Sequence, residues 1–193
     1  MFYANQVGAQ TQIIFDGGSI VMSADGKVFD EMPYFREDMR IYDLEAVEKG
    51  GIEREQSKNK IALIHDALIL GIQDYFKKVG LKQAIFGLSG GIDSAIVAVL
   101  AQRALGAENV RCLLLPSQYS SDHSITDSRK LAENINIQYD LLKIEDIYKS
   151  VEGTMANLFM ATKPDTTEET IQARIRGLLL MAMRNKFGHV LLN

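Results

Sequence analysis

The chain has one cysteine in 193 residues, so it can close no disulfide on itself, and that fits a reducing compartment. Long hydrophobic runs are missing too. The longest unbroken aliphatic stretch, Ala95 to Ala101, falls well short of the roughly 20 residues that a membrane-spanning helix requires. The opening Met1-Phe2-Tyr3-Ala4-Asn5-Gln6 shows no basic segment followed by an apolar one, so no secretory leader is expected. A cytoplasmic location with no membrane partner is the expectation. No basic block occurs and the net charge is −4, so no nucleic-acid partner is expected. The three histidines, His65, His123 and His189, lie far apart with no ligand spacing, and structural or surface roles are expected for them. There is no internal repeat and no low-complexity tract.

The composition itself is that of a globular protein. Apolar residues make up 47% and charged residues 24%, enough for a real core. The charge is unevenly divided. Residues 1–57 hold 11 acidic and 5 basic side chains, and residues 58–193 hold 14 and 16. The texture changes at the same place. Thr11 to Phe15, Ser19 to Met22, and Val28 onward read as three short strands of a β-meander. The turns between them are Asp16-Gly17-Gly18 and Ala24-Asp25-Gly26-Lys27, where Asp-Gly tolerates positive φ. Such a meander is marginal alone. Residues 45–59, with Gly50-Gly51, read as a linker. From Lys58 apolar residues recur every three or four positions up to Val79, a helix that Gly80 stops.

Beyond Gly80 strand and helix alternate. Strands are expected at 84–88, 110–115, 138–142 and 189–193. Helices are expected at 93–105, 121–135, 144–160 and 167–187. Apolar strands alternating with helices predict an α/β fold with a parallel sheet and helices on both faces. The sequence ends within an apolar strand, and a truncated C-terminus is expected from that.

The sharpest local feature is Gly87-Leu88-Ser89-Gly90-Gly91-Ile92-Asp93-Ser94, placed where the first parallel strand turns into a helix. Gly90 and Gly91 can take positive φ and let backbone N–H groups approach a ligand. The helix behind them aims free N–H groups and a positive dipole end at the same spot. Ser89 and Ser94 add hydroxyls, so the stretch reads as a polyphosphate cradle. It lacks the Gly-Lys-Ser/Thr ending of kinase and GTPase loops. The carboxylate of Asp93 would repel phosphates unless a cation lay between them, which predicts Mg²⁺ shared with the nucleotide. Cys112 lies inside an apolar strand and is expected to be packed and inert.

The octapeptide resembles the signature of the PP-loop ATP pyrophosphatases, which adenylate an oxygen with loss of pyrophosphate. Within them, three stretches resemble glutamine-dependent NAD synthetases. The first is Leu115-Pro116-Ser117-Gln118-Tyr119-Ser120-Ser121, with Asp127-Ser128 and Leu131-Ala132 behind it. The second is Glu168-Glu169-Thr170-Ile171-Gln172-Ala173-Arg174-Ile175-Arg176. The third is Tyr3-Ala4-Asn5-Gln6-Val7-Gly8 with Phe15-Asp16-Gly17-Gly18-Ser19 and Asp25-Gly26, which resembles the end of a nitrilase-type amidase domain.

The resemblance implies a Rossmann-like, adenine nucleotide alpha hydrolase-like fold. It implies residues 1–44 as the tail of a glutaminase domain, 45–59 as a linker, and 60–193 as the synthetase domain. It implies amidation of deamido-NAD to NAD through an acyl-adenylate, with ATP and Mg²⁺, and ammonia supplied by glutamine hydrolysis. The ATP site would be Gly87, Leu88, Ser89, Gly90, Gly91, Ile92, Asp93 and Ser94, with Asp93 on the metal. The deamido-NAD site would include Thr170 and Arg174. At Thr170 the family usually has asparagine. Of Arg174 and Arg176, which point to different helix faces, one would meet the anionic dinucleotide. The family's Glu-Lys-Cys glutaminase triad would precede these residues, and its Thr-Gly-Asn segment would follow them. The stretch alone is therefore expected to be inactive, and a homo-oligomer, at least a dimer, is expected. A GMP synthetase-like or tRNA-modifying PP-loop enzyme, or a non-catalytic nucleotide-binding module, remains open on the residues alone. Ser120 and Ser121 are equally compatible with ligand contact and helix capping.

Overall fold

The computed structural model describes residues 1–51, 59–160 and 162–192. The chain forms two compact units, Met1–Gly80 and Leu81–Asn193.

The first unit holds five short strands, β1 (Phe2–Tyr3), β2 (Val7–Gln10), β3 (Ile13–Asp16), β4 (Ile20–Met22) and β5 (Val28–Glu31). They do not form the single meander predicted. β4 lies between β1 and β5 in one antiparallel sheet, and β3 pairs with β2 in another. Gly17 and Gly18, at φ +71° and +60°, carry the chain from one sheet to the other instead of closing a hairpin. A Cβ on Gly18 would stand 2.6 Å from the Tyr34 ring. The β2–β3 hairpin escaped the sequence reading because its turn, Thr11-Gln12, carries no glycine or Asp-Gly signal, and Thr11 itself takes φ +56°. The β4–β5 hairpin is as predicted, with Gly26 at φ +79°.

Within the linker span, α1 (Leu44–Glu48) is a short helix capped by Asp43, and residues 52–58 lie outside the described residues. α2 (Lys60–Val79) follows, and Gly80 at φ +69° ends it as predicted. Its inner face meets β2 and β3. Phe76 is buried, and a Cβ on Gly71 would stand 3.2 Å from the Ile14 side chain. Asp74 accepts from the Ala9 amide at 2.6 Å and pairs with Lys78 at 3.1 Å; the amide first, then the ammonium, holds its carboxyl below the usual range. By contacts α2 thus sits with the antiparallel strands. The Asn59 side chain caps α2 by accepting from the amides of Ile61 and Ala62, at 3.0 and 3.4 Å. Asn59→Ala is expected to cost about 1 kcal/mol, read as a lowered urea midpoint at unchanged slope.

The second unit runs β6 (Ala84–Gly87), α3 (Ile92–Leu105), β7 (Val110–Leu114), α4 (Asp122–Asn134), β8 (Gln138–Leu141), α5 (Glu145–Phe159), α6 (Thr166–Phe187) and β9 (Val190–Leu191). The four strands pair in parallel in the order β8-β7-β6-β9. The last strand is shorter than the predicted 189–193, and Asn193 lies outside the described residues. Strand periodicity divides the core in two. Phe86, Val110, Cys112 and Leu114 point to a cluster with Ala98, Ala101 and Ala132 of α3 and α4. Ile85 and Leu113 point to the other face, against Tyr148 and Ile175 of α5 and α6. Helices therefore cover both faces. Among the described residues no helix is long and apolar enough to cross a membrane.

Candidate functional site

The chain turns one way after β6, toward β7 and β8, and returns to β6's other side only at β9. The reversal of strand order thus falls beside the carboxyl end of β6, where open parallel sheets bind ligands. The Gly87–Ser94 loop leaves the sheet at that point.

Inside the loop each residue has a distinct task. Leu88 is buried, its amide donates to the Leu113 carbonyl at 2.9 Å, and its carbonyl accepts from the Ser128 hydroxyl at 3.4 Å. Gly90 takes φ +84° and lies against the backbone of Ser124 in α4. Gly91 does not use the positive φ that the sequence suggested; it sits at φ −82° as the N-cap of α3. Lacking a side chain, it offers no cap to the first-turn N–H groups, which stay available to an anion. Ser94 braces the bend. Its hydroxyl accepts from the Ser89 amide at 3.2 Å, donates to the Gly91 carbonyl at 3.0 Å, and lies 3.0 Å from the Ser89 hydroxyl. Asp93 is exposed in the first turn of α3, with no hydrogen bond or ion pair to another described side chain. Ile92 is exposed as well.

Next to the loop lies a cavity of about 360 Å³, walled by the ends of β6 and β7 and by one face each of α4 and α6. Gly87, Leu88 and Ser89 line it, as do Leu113 to Pro116. From α4 come Ser124 and Ser128, four residues apart, and from α6 Arg176 and Leu180, also four apart. Its walls are mainly apolar with hydroxyls at intervals, the character of a small-molecule site. Ser120 lines it but accepts from the Ser117 amide at 3.0 Å; Ser121 caps α4 by accepting from the Ser124 amide at 3.2 Å. Sequence reasoning had no role for Ser124. The helical spacing 124–128 was the signal that could have found it.

The second motif lies on α6. Glu168 reaches back to the Asp165 amide at 2.7 Å while Asp165 accepts from the Thr167 amide at 2.7 Å, so this acidic residue closes a capping box. Thr170 is exposed and donates to the Thr166 carbonyl at 2.9 Å. Arg174 shares that exposed face one turn on. Neither lines the cavity; Arg176 does.

Cys112 is fully buried, and burial pushes its thiol up to about 12, so it is no nucleophile. Among the described residues no three His, Cys, Asp or Glu side chains gather as a metal cluster. His65 touches Asp66 at 2.8 Å and His123 is exposed. His189 is 8% exposed, its Nδ1 has no partner among the described residues, and its ring stacks on Phe187, over whose ring the Arg111 guanidinium lies. Burial first, then Arg111, holds its pKa below the ordinary value. The unfolded chain therefore binds this proton more readily, and stability present above an unfolded pKa of about 6.5 is lost as pH falls below it. His189→Gln is expected to flatten the drop in urea midpoint between about pH 7.5 and pH 5.5.

Comparison with known proteins agrees with this geometry. The family model described as NAD synthase matches residues 64–193. The glutamine-dependent NAD(+) synthetase of Rhodobacter capsulatus is 43% identical over 196 residues, which take in all of this chain and 36% of the relative. That of Synechocystis sp. is also 43% identical, over all of the chain and 35% of the relative. The chain thus spans about a third of the length of these curated relatives. Among solved structures, the glutamine-dependent NAD+ synthetase of Acinetobacter baumannii, in complex with ADP, superposes with a TM-score of 0.91 at 36% identity, over 98% of this chain and 36% of that one. The NH3-dependent NAD synthetase of Campylobacter jejuni gives a TM-score of 0.59 at 30% identity, over 66% of this chain and 53% of its own. The match of a single family model across two thirds of the sequence, phosphate loop included, makes the chain a member of the NAD synthase family.

Proposed function

We propose that this chain carries the adenylate-forming site of a glutamine-dependent NAD synthetase, which amidates deamido-NAD to NAD at the expense of ATP. The observation that carries the reading is the Gly87–Ser94 bend, opening beside an apolar cavity at the carboxyl edge of a parallel sheet. The Acinetobacter baumannii relative is an ADP complex, which supports an adenine nucleotide here. In this reading residues 1–44 belong to the tail of the ammonia-producing glutaminase, and glutamine or free ammonia is the nitrogen source. A homo-oligomer is the expected assembly and the cytoplasm the expected compartment.

Gly87 to Ser94 hold the ATP phosphates through backbone N–H groups and the positive end of α3. Asp93 fits a metal role: it is exposed at the loop with no partner among the described residues, and a cation there would take its remaining ligands from phosphate and water. Mg²⁺ would offset phosphate charge as pyrophosphate departs. The nicotinate carboxylate of deamido-NAD attacks the α-phosphorus, and ammonia then displaces AMP from the acyl-adenylate. The first step asks for alignment and charge neutralisation rather than a proton-transferring side chain. That matches a loop of N–H groups with one carboxylate. Thr170 and Arg174 are the proposed deamido-NAD contacts, Arg174 for the dinucleotide's negative charge.

ATP–pyrophosphate exchange tests the reading, measured on this chain and on a chimera extended with the following segment of the Rhodobacter capsulatus relative. Exchange stimulated by deamido-NAD, and not by xanthosine monophosphate, aspartate or tRNA, is expected in the chimera. Stimulation by one of the other three instead would refute it. The 193-residue chain alone is expected to bind ATP without turnover.

A further inference from the structure

Among the described residues, Arg176 is the one charged side chain lining the cavity beside the phosphate loop. It is half-buried on α6, and no carboxylate among the described residues lies within ion-pair reach of it. Its one protein hydrogen bond among the described residues runs from Nε to the Leu115 carbonyl at 3.0 Å. Burial lowers its pKa with no opposing charge to raise it. A cation held this way costs free energy that a single carbonyl does not recover, and a neutral amide could hold that carbonyl more cheaply. The Nε bond does something else: it anchors the guanidinium plane and leaves both terminal nitrogens free. Two parallel N–H donors from a fixed plane match two oxygens of a phosphate. Apolar walls of Leu88, Leu115 and Leu180 lower the local dielectric and strengthen that contact.

We propose that Arg176 binds the phosphate nearest the nucleoside, the α-phosphate, through its two terminal nitrogens. This rests on the adenylate-forming reading above. The cavity takes the nucleoside and the Gly90–Asp93 bend takes the departing pyrophosphate, so a cation on the cavity wall meets the phosphate between them. That phosphate stays bound when pyrophosphate leaves, so the same contact serves ATP, the acyl-adenylate and AMP. Arg174, two residues earlier, faces away from the cavity, which separates the two arginines into nucleotide and dinucleotide roles.

Calorimetric titration of the full chain with adenosine and with AMP tests this, since the two ligands differ only by that phosphate. Wild type is expected to prefer AMP. In Arg176→Gln the preference falls about tenfold or more while adenosine affinity stays within about twofold. Arg176→Lys, which keeps charge but not the fork, is expected to retain part of the preference. Equal weakening of both ligands would overturn the inference and leave Arg176 as a clamp on the Leu115 carbonyl. An AMP preference undiminished in Arg176→Gln would overturn it too. If Arg176→Gln fails to fold by circular dichroism, the lysine variant decides: a drop of about threefold or more in AMP preference with adenosine unchanged supports it, and any other pattern refutes it. Wild type that binds neither ligand would refute the adenylate-forming reading itself, whereas wild type that binds both equally refutes only the role of Arg176.

Discussion

Gly90→Ala is expected to weaken nucleotide binding about a hundredfold and to lower stability by about 2–3 kcal/mol. Two independent demands meet at this residue. Its φ of +84° is a conformation that an L side chain adopts only under strain. A Cβ there would also stand 2.6 Å from the Ser124 carbonyl oxygen and 2.8 Å from its Cα. Those are backbone atoms inside a helix and cannot swing aside as the tip of a long side chain would. The bend must move instead, and with it the N–H groups aimed at the phosphates. Gly91→Ala is the informative control. Gly91 sits at φ −82°, and a Cβ there would be 3.4 Å from the Ser89 hydroxyl, an ordinary contact. A small effect at 91 beside a large one at 90, in ATP titration and in urea midpoint, is the expected contrast. Equal effects would mean that glycine flexibility as such, rather than the approach to Ser124, is what the loop needs.

Asp93→Asn is expected to abolish most of the gain in ATP affinity that Mg²⁺ brings, about 10- to 100-fold, with little loss of stability. The carboxylate is exposed and has no hydrogen bond or ion pair within the described chain. What the fold loses is an acidic group in the first turn of a helix, worth at most about 1 kcal/mol. Without metal the sign reverses: the wild-type carboxylate repels the phosphates, so ATP binds the asparagine variant at least as well in EDTA. Titrations with and without Mg²⁺ separate the two. A variant that loses ATP affinity equally in both conditions would show that Asp93 shapes the loop instead of sharing a cation.

Much of the second unit was legible in the sequence because each layer signals itself locally. The apolar strands β6 and β7, Gly106 past the end of α3, Pro116 after β7 and Ser121 ahead of α4 all mark boundaries that the structure keeps. The phosphate loop was legible for the same reason. Pairing partners were not. Nothing in Thr11-Gln12 announces a hairpin, and Gly17-Gly18 looks like one while serving as a crossing between sheets. Cavity walls were only half legible. Residues next to the loop in sequence were in view, and Ser128 lay within a matched stretch, but Ser124 reaches the cavity by helix packing: the 124–128 spacing puts the two serines on one face without saying what that face meets. Likewise Gly91 looked as permissive as Gly90, and only the observed φ angles tell them apart.

β6 sends Ile85 to one hydrophobic layer and Phe86 to the other, and both are shut off from solvent. The phosphate bend is the direct continuation of this strand, and its remaining supports, the Ser94 brace and the α4 contacts of Leu88 and Gly90, hold it only while β6 stays in place. Loosening either layer frees β6 and unseats the bend. Melting of either layer around β6 therefore cannot spare the nucleotide site, and bound ATP should delay the exchange of the Ile85 and Phe86 amides as strongly as that of the loop itself.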